Sequence, residues 1–371
     1  MKPYIAPTSQ RGLLPNVVPS RLRRALGLLS VVALLAPLAG FAQASGPLTI
    51  KEQGSFFVGG EGRSVSQPAA GPVPAQSGDI TINQMYVQYQ IPMKGDRHVP
   101  VVFVHGCCLS SKTWETTPDG RIGWSEYFVR KNRPVYLADQ VSRARSGFDP
   151  TAFNQVHAGT LANAQMPGIL DATHQFAWTV FRFGPKFGEA FADEQFPLQA
   201  VDELYKQMIP DLNSTLPQNP NPTWTQMAAL GVRLKGAVLV GHSESGFFPE
   251  QAALIDPKGI KAVVTIETRC ETGLTPAQLT TLARIPTLIM FGDHLGDVTG
   301  PFSWMDALAS CNTFIDQLKK LGGDAEMMYL PALGIKGNSH MLMQDKNSNQ
   351  LADLLLAWID RHVEAKSHGV N

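Results

Sequence analysis

The stretch Val238-Leu239-Val240-Gly241-His242-Ser243-Glu244-Ser245-Gly246-Phe247 decides the fold. A short apolar run ends at Gly241, small residues surround Ser243, and a helical pattern begins near Gly246. A buried strand that turns through a serine into a helix is the setting of a G-x-S-x-G nucleophile elbow. There the serine is held in a strained conformation, and its neighbours must be small so that strand and helix can approach. Ser245 stands where the pattern has its last glycine, and Gly246 follows one place later. Serine is small enough to keep the turn feasible. An ordinary strand-to-helix turn would give much the same local pattern, so the surrounding chain must decide.

Outward from the elbow, short apolar β-branched runs recur at 101–104, 134–138, 236–240, 262–266, 286–291 and 326–330. Helical patterns lie between them at 124–131, 246–255, 302–321 and 351–363. Buried strands alternating with helices predict an α/β protein with a mainly parallel, doubly wound sheet covered on both faces. Residues 80–91 alternate in part and predict an exposed strand. Residues 45–78 are rich in Gly, Pro, Ser and Gln and predict an extended arm with little core of its own, apart from a strand-like patch at Ser55-Phe56-Phe57-Val58. No buried strand is expected at 151–222. Seven aromatic residues fall within 171–196, against 8% of the whole chain, which predicts a helical cap insertion that packs an apolar face. The expected organisation is thus 1–44 as leader, 45–78 as arm, 79–150 with 223–371 as core, and 151–222 as cap.

The first 44 residues contain five basic side chains and no acidic one. Arg21, Arg23 and Arg24 precede a mostly apolar run at 25–40, and Ala42-Gln43-Ala44 follows it. These are the parts of a secretory signal peptide, with cleavage expected after Ala44. The apolar run is short for a membrane span and Pro37 interrupts its end. Arg23-Arg24 leaves a twin-arginine route open beside the general one. The mature chain, with 26 basic against 31 acidic residues, has no basic excess for nucleic acid and is expected to be periplasmic or secreted. In such a compartment the four cysteines, Cys107, Cys108, Cys270 and Cys311, favour disulfides, and three pairings are formally possible.

Two further sites complete a constellation with Ser243. The strand at 101–104 runs into His105-Gly106, placed before the serine as an oxyanion-hole loop would be. His340 lies in Gly337-Asn338-Ser339-His340-Met341, after the last strand and before the last helix, where a base can reach over the strand ends. For the acid there are two candidates: Glu267, directly after the strand at 262–266, and Asp293, after the strand at 286–291. Either carboxylate could accept the Nδ1 hydrogen bond that fixes the tautomer of a catalytic histidine.

This order of strands, elbow, His-Gly loop and late histidine resembles the α/β-hydrolase fold from about residue 80 onward. More narrowly, His105-Gly106-Cys107-Cys108, the Gly-His-Ser-Glu-Ser-Gly elbow, Glu267 followed by Cys270, and Gly54-Ser-Phe-Phe-Val-Gly-Gly60 resemble a small group of secreted bacterial esterases. That resemblance implies Glu267 as the acid and a vicinal disulfide between Cys107 and Cys108 beside the oxyanion hole. Cys270 and Cys311 would then pair, bracing the loop after Glu267. It also implies a serine esterase with Ser243, Glu267 and His340 as triad and the backbone N–H groups of Cys107 and Glu244 as oxyanion donors. Neither metal nor organic cofactor is required, and a thiol switch or soft-metal role for Cys107-Cys108 is the competing reading. The expected partner is a small-molecule ester, with no nucleic acid and no stable membrane insertion after leader cleavage; a homo-oligomer stays open beside a monomer. A lactonase or polyester-oligomer hydrolase would use the same triad. A non-catalytic binding protein on this fold would be expected to have lost one of its members.

Overall fold

The computed structural model describes residues 46–95 and 98–365, so the signal-peptide expectation for 1–44 lies outside the described residues. Eight strands form one sheet: β1 (Ile50–Gln67), β2 (Gln76–Pro92), β3 (Val101–Val104), β4 (Val135–Ala138), β5 (Ala237–His242), β6 (Ile260–Ile266), β7 (Thr287–Phe291) and β8 (Ala325–Tyr329). Their order is β1-β2-β4-β3-β5-β6-β7-β8. Pairing is antiparallel from β1 to β4 and parallel from β4 to β8. Every residue of β3, β4, β5 and β7 is buried, as expected of parallel strands covered on both faces. This is the doubly wound α/β arrangement.

The helices are α1 (Trp124–Arg130), α2 (Thr151–His157), α3 (His174–Val180), α4 (Val201–Gln207), α5 (Pro222–Arg233), α6 (Phe248–Ile255), α7 (Pro276–Leu282), α8 (Trp304–Lys320) and α9 (Ser348–Ile359). Of these, α5 and α7 have no counterpart in the sequence patterns. Both begin with proline at the first helical position, capped by the side chains of Asn221 and Thr275, a start signal that their modest apolar periodicity does not reinforce.

The N-terminal arm is a strand well beyond the patch at 55–58. Residues 50–67 form an 18-residue strand that pairs with β2 almost throughout. Its alternation is masked by glycine and serine, and its long outer part is exposed on both faces, so the sequence pattern shows a strand only at the patch. Where it meets the core, Phe56 packs against Tyr89 and Tyr136, and the Arg233 guanidinium lies over the Phe56 ring.

Between β4 and α5, the segment 151–222 consists of short helices and turns. Its aromatic residues divide between two tasks. Phe183 stacks on Phe196 and meets Trp178 edge-on, a core of the segment itself. Phe176 and Phe181 instead line a cavity above the strand ends.

A disulfide joins Cys270, beyond β6, to Cys311 in α8 across 41 positions. A loop of that length removes enough denatured-state freedom to stabilise the fold by about 4 kcal/mol. The Cys270→Ala/Cys311→Ala variant is therefore expected to unfold at distinctly lower urea concentration, with an m-value that rises as the uncrosslinked denatured chain exposes more surface; an unmoved midpoint would show that the bridge does not contribute.

Candidate active site

β5 ends at His242, and Ser243 takes φ 58°, a left-handed conformation that a residue with a Cβ adopts only under constraint. The constraint is close packing. A Cβ on Gly241 would stand 2.0 Å from the Ser245 carbonyl oxygen, and one on Gly106 would stand 2.6 Å from Ser243 Cβ. The His-Gly loop therefore lies directly against the elbow. Ser245 shows why serine serves in place of the usual glycine: it is fully buried, its hydroxyl donates to the Val104 carbonyl, and it accepts from the His242 N–H.

His105 is buried and pins the loop. The Gln140 N–H donates to its Nε2, so the proton sits on Nδ1, which donates to the Gly106 carbonyl. Burial and the nearby Arg143 hold its pKa down to about 4. Its role is to hold the backbone beside Ser243.

Glu267 follows β6 with φ 55° and is fully buried. Its Oε2 lies 3.3 Å from His340 Nδ1, and its Oε1 accepts from Arg182 Nη2 at 2.7 Å and from the Gly292 N–H. Burial alone would raise the carboxyl pKa, but Arg182 and His340 overcome it and hold it at about 2. His340 is also fully buried, and burial lowers its pKa despite the Glu267 carboxylate. Its ring is packed by Phe181, His242 and Trp304, with centroids at 5.4, 4.6 and 4.7 Å. Its backbone N–H donates to the Phe181 carbonyl, while His242 Nε2 donates to the His340 carbonyl. His340 Nε2 is buried without a hydrogen-bond partner among the described residues. A neutral imidazole with Nδ1–H directed at Glu267 thus keeps the lone pair of Nε2 uncommitted.

Asp293 does not touch His340 in this arrangement. Its carboxylate accepts from the His294 and Gly337 N–H groups, and its backbone carbonyl accepts from Arg182 Nε at 2.7 Å. Of the two candidate acids, Glu267 is the one brought to the histidine.

Ser243, Glu244, Glu267, Cys107 and Cys108 line one cavity of about 1000 Å³. Leu170, Phe176, Phe181, Phe302 and Trp304 give its wall an apolar character. Glu244 is braced by Gln140, Arg143 and Asn213, and burial raises its carboxyl to about pH 7.

Cys107 and Cys108 carry separate thiols, so the vicinal disulfide implied by resemblance is absent from this structure. Neighbouring Cα atoms are about 3.8 Å apart across a trans peptide, below the usual disulfide span. A hydrogen bond with Cys108 and burial push the Cys107 thiol far up. Cys107, Cys108 and Asp211 bring donor atoms within 4.8 Å of one another, but Arg143 holds Asp211 at 2.7 Å and offsets the charge a cation would need. At Asp193, Asp293 and His294, the two His294 nitrogens face the carboxylates of Asp193 and Asp297.

Arg182 and Trp304 were missed from the sequence, whereas Phe181 belongs to the aromatic stretch picked out at 171–196. The available signal was a single cation set inside the aromatic run Trp178-Thr179-Val180-Phe181-Arg182-Phe183, which has to find a buried partner if the run folds inward.

No family model matches the chain. The chain is 24% identical over 335 residues to a protein of Fungal sp. (strain ATCC 74256) named probable secreted lipase phiG, covering 75% of this chain and 86% of that one. It is similar to a solved novel bacterial esterase, with 46% identity, a TM-score of 0.81, and coverage of 86% of this chain and 98% of that chain. At that identity over nearly the whole of a solved relative, the chain belongs to the same family, the bacterial esterases of the α/β-hydrolase fold.

Proposed function

We propose that this chain is an exported serine esterase that hydrolyses uncharged, largely apolar carboxylic esters. One observation carries the reading: a buried Glu267–His340 pair with an uncommitted Nε2 packs on the ring of His242, the residue before a strained Ser243 that lines, with Glu267, an apolar cavity. In the proposed reaction His340 Nε2 takes the proton of Ser243 Oγ as that oxygen attacks the ester carbonyl carbon. The backbone N–H groups of Cys107 and Glu244 hold the developing oxyanion. Collapse of the tetrahedral intermediate breaks the C–O bond, and the proton on His340 passes to the departing alcohol. Water, deprotonated by the same imidazole, then attacks the acyl-enzyme and releases the acid and Ser243. Apart from its two substrates, ester and water, the cycle uses only groups of this chain.

Export is supported by the leader-like sequence and the Cys270–Cys311 bridge. Among the described residues no helix is long and apolar enough to cross a membrane.

The cavity wall sets the substrate preference. Each methylene buried there is worth up to about 0.8 kcal/mol, so kcat/KM is expected to rise about three-fold per carbon from p-nitrophenyl acetate to the hexanoate. A panel varying acyl and alcohol portions separately, with Ser243→Ala as control, tests this. Rates flat with chain length would separate the cavity from substrate binding, and equal rates for the control would remove the esterase assignment.

A further inference from the structure

The segment 151–222 reaches the histidine–acid pair at one dipeptide, Phe181-Arg182, immediately after α3. Phe181 stacks on the His340 ring and takes the His340 backbone N–H on its carbonyl. Arg182, fully buried, turns the chain with φ 60° and sends its guanidinium the other way. There Nη2 donates to Glu267 Oε1 and Nε to the Asp293 carbonyl, while the plane lies over the Trp304 ring at 5.0 Å. Two consecutive residues of the insertion therefore grip both members of the histidine–acid pair.

Resting on the esterase reading above, we propose that Arg182 is a positioning residue for catalysis: it fixes the Glu267 carboxylate so that Oε2 alone faces His340, and thereby makes the triad depend on the seating of the insertion. A buried ion pair is expensive unless further hydrogen bonds complete it. Arg182 and Glu267 are both wholly buried, and each makes a second hydrogen bond, to the Asp293 carbonyl and from the Gly292 N–H. A carboxylate bonded only to Gly292 and His340 could rotate about its last bond, whereas two donors on Oε1 leave one orientation. Lysine could satisfy either Glu267 or the Asp293 carbonyl but lacks the planar fork that meets both.

The groups that set the charge around this pair come from several elements. They are His242 at the end of β5, Asp293 after β7, Tyr329 at the end of β8, Asp345 before α9, and Glu194 in the insertion. All are kept when Arg182 alone is changed. Removing its positive charge lifts a repulsion that holds His340 down, so the imidazole gains its proton more readily and the acid limb of kcat/KM moves to higher pH.

The test compares wild type, Arg182→Gln, Arg182→Lys, Glu267→Gln and the Arg182→Gln/Glu267→Gln double variant, each checked for folding by circular dichroism, in p-nitrophenyl butyrate hydrolysis across pH. Arg182→Gln is expected to lose about 10- to 100-fold in kcat, the scale of a small misplacement of reacting groups. Its acid limb should rise by about half a unit or more. Arg182→Lys should return the limb to the wild-type position but not the full kcat. In the Glu267→Gln background the Gln change should cost little more, because its effect runs through Glu267. A folded Arg182→Gln with wild-type kcat overturns the proposal, as does a loss with an unmoved limb that adds fully to Glu267→Gln. If Arg182→Gln does not fold, Arg182→Lys decides by kcat: unchanged turnover overturns. If Glu267→Gln is itself as active as wild type, the acid assignment has failed and the role of Arg182 falls with it. A slow Glu267→Gln beside an unaffected Arg182→Gln removes Arg182 alone.

Discussion

Replacing Ser243 with alanine is expected to lower kcat for p-nitrophenyl ester hydrolysis by about a million-fold. The hydroxyl takes no part in closing the elbow: the turn is held by Ser245, whose hydroxyl bonds the Val104 carbonyl, and by the close packing at Gly241. The variant should therefore fold normally and keep the cavity that binds the ester. What it loses is the oxygen that becomes covalently bonded, an interaction made only along the reaction path. His340→Ala should cost as much, and the double variant no more than either single one, because nucleophile and base act as one unit. Residual hydrolysis above water would come from oxyanion donors and binding. Stopped-flow measurement of the p-nitrophenol burst supplies an independent check: the wild type should accumulate an acyl-enzyme and Ser243→Ala should not. A variant with full turnover would leave a binding protein on a hydrolase fold as the better account.

Much of this was legible before any coordinates, and the reasons are physical. Parallel strands are buried on both faces, so 101–104, 237–240 and 288–291 stand out as unbroken apolar runs. The elbow is legible because close backbone approach restricts residue size, leaving small residues around Ser243. Of the β1 strand only the patch at 55–58 was legible: elsewhere its apolar positions are few among glycines and serines, and pairing with β2 is carried by backbone hydrogen bonds that any sequence can make. Arg182 was illegible for a different reason. Its partner Glu267 lies 85 positions away, and no local pattern encodes a long-range buried ion pair. The choice between Glu267 and Asp293 sits between these cases. Both carboxylates follow buried strands, and what separates them is the direction each side chain takes from its turn.

That separation sets the second large effect. Glu267→Gln is expected to lower kcat by about 10⁴-fold, the scale seen when a catalytic histidine is held in the wrong tautomer. Arg182 Nη2 and the Gly292 N–H both donate to the inner oxygen, so that position accepts only an acceptor. A glutamine must therefore place its carbonyl oxygen there and turn its NH₂ toward His340 Nδ1. An NH₂ donor facing Nδ1 favours the imidazole with its proton on Nε2, the form that cannot take a proton from Ser243. Asp293→Asn meets a different environment: its carboxylate accepts from the His294 and Gly337 N–H groups and does not touch His340. An amide can keep one of those bonds, so this change should cost about 1–3 kcal/mol of stability while kcat stays within about ten-fold of wild type. Paired kinetics and urea unfolding of the two variants check both halves. A collapse of turnover in Asp293→Asn with an active Glu267→Gln would transfer the acid role to the later strand and require Asp293 to swing toward His340 when substrate binds.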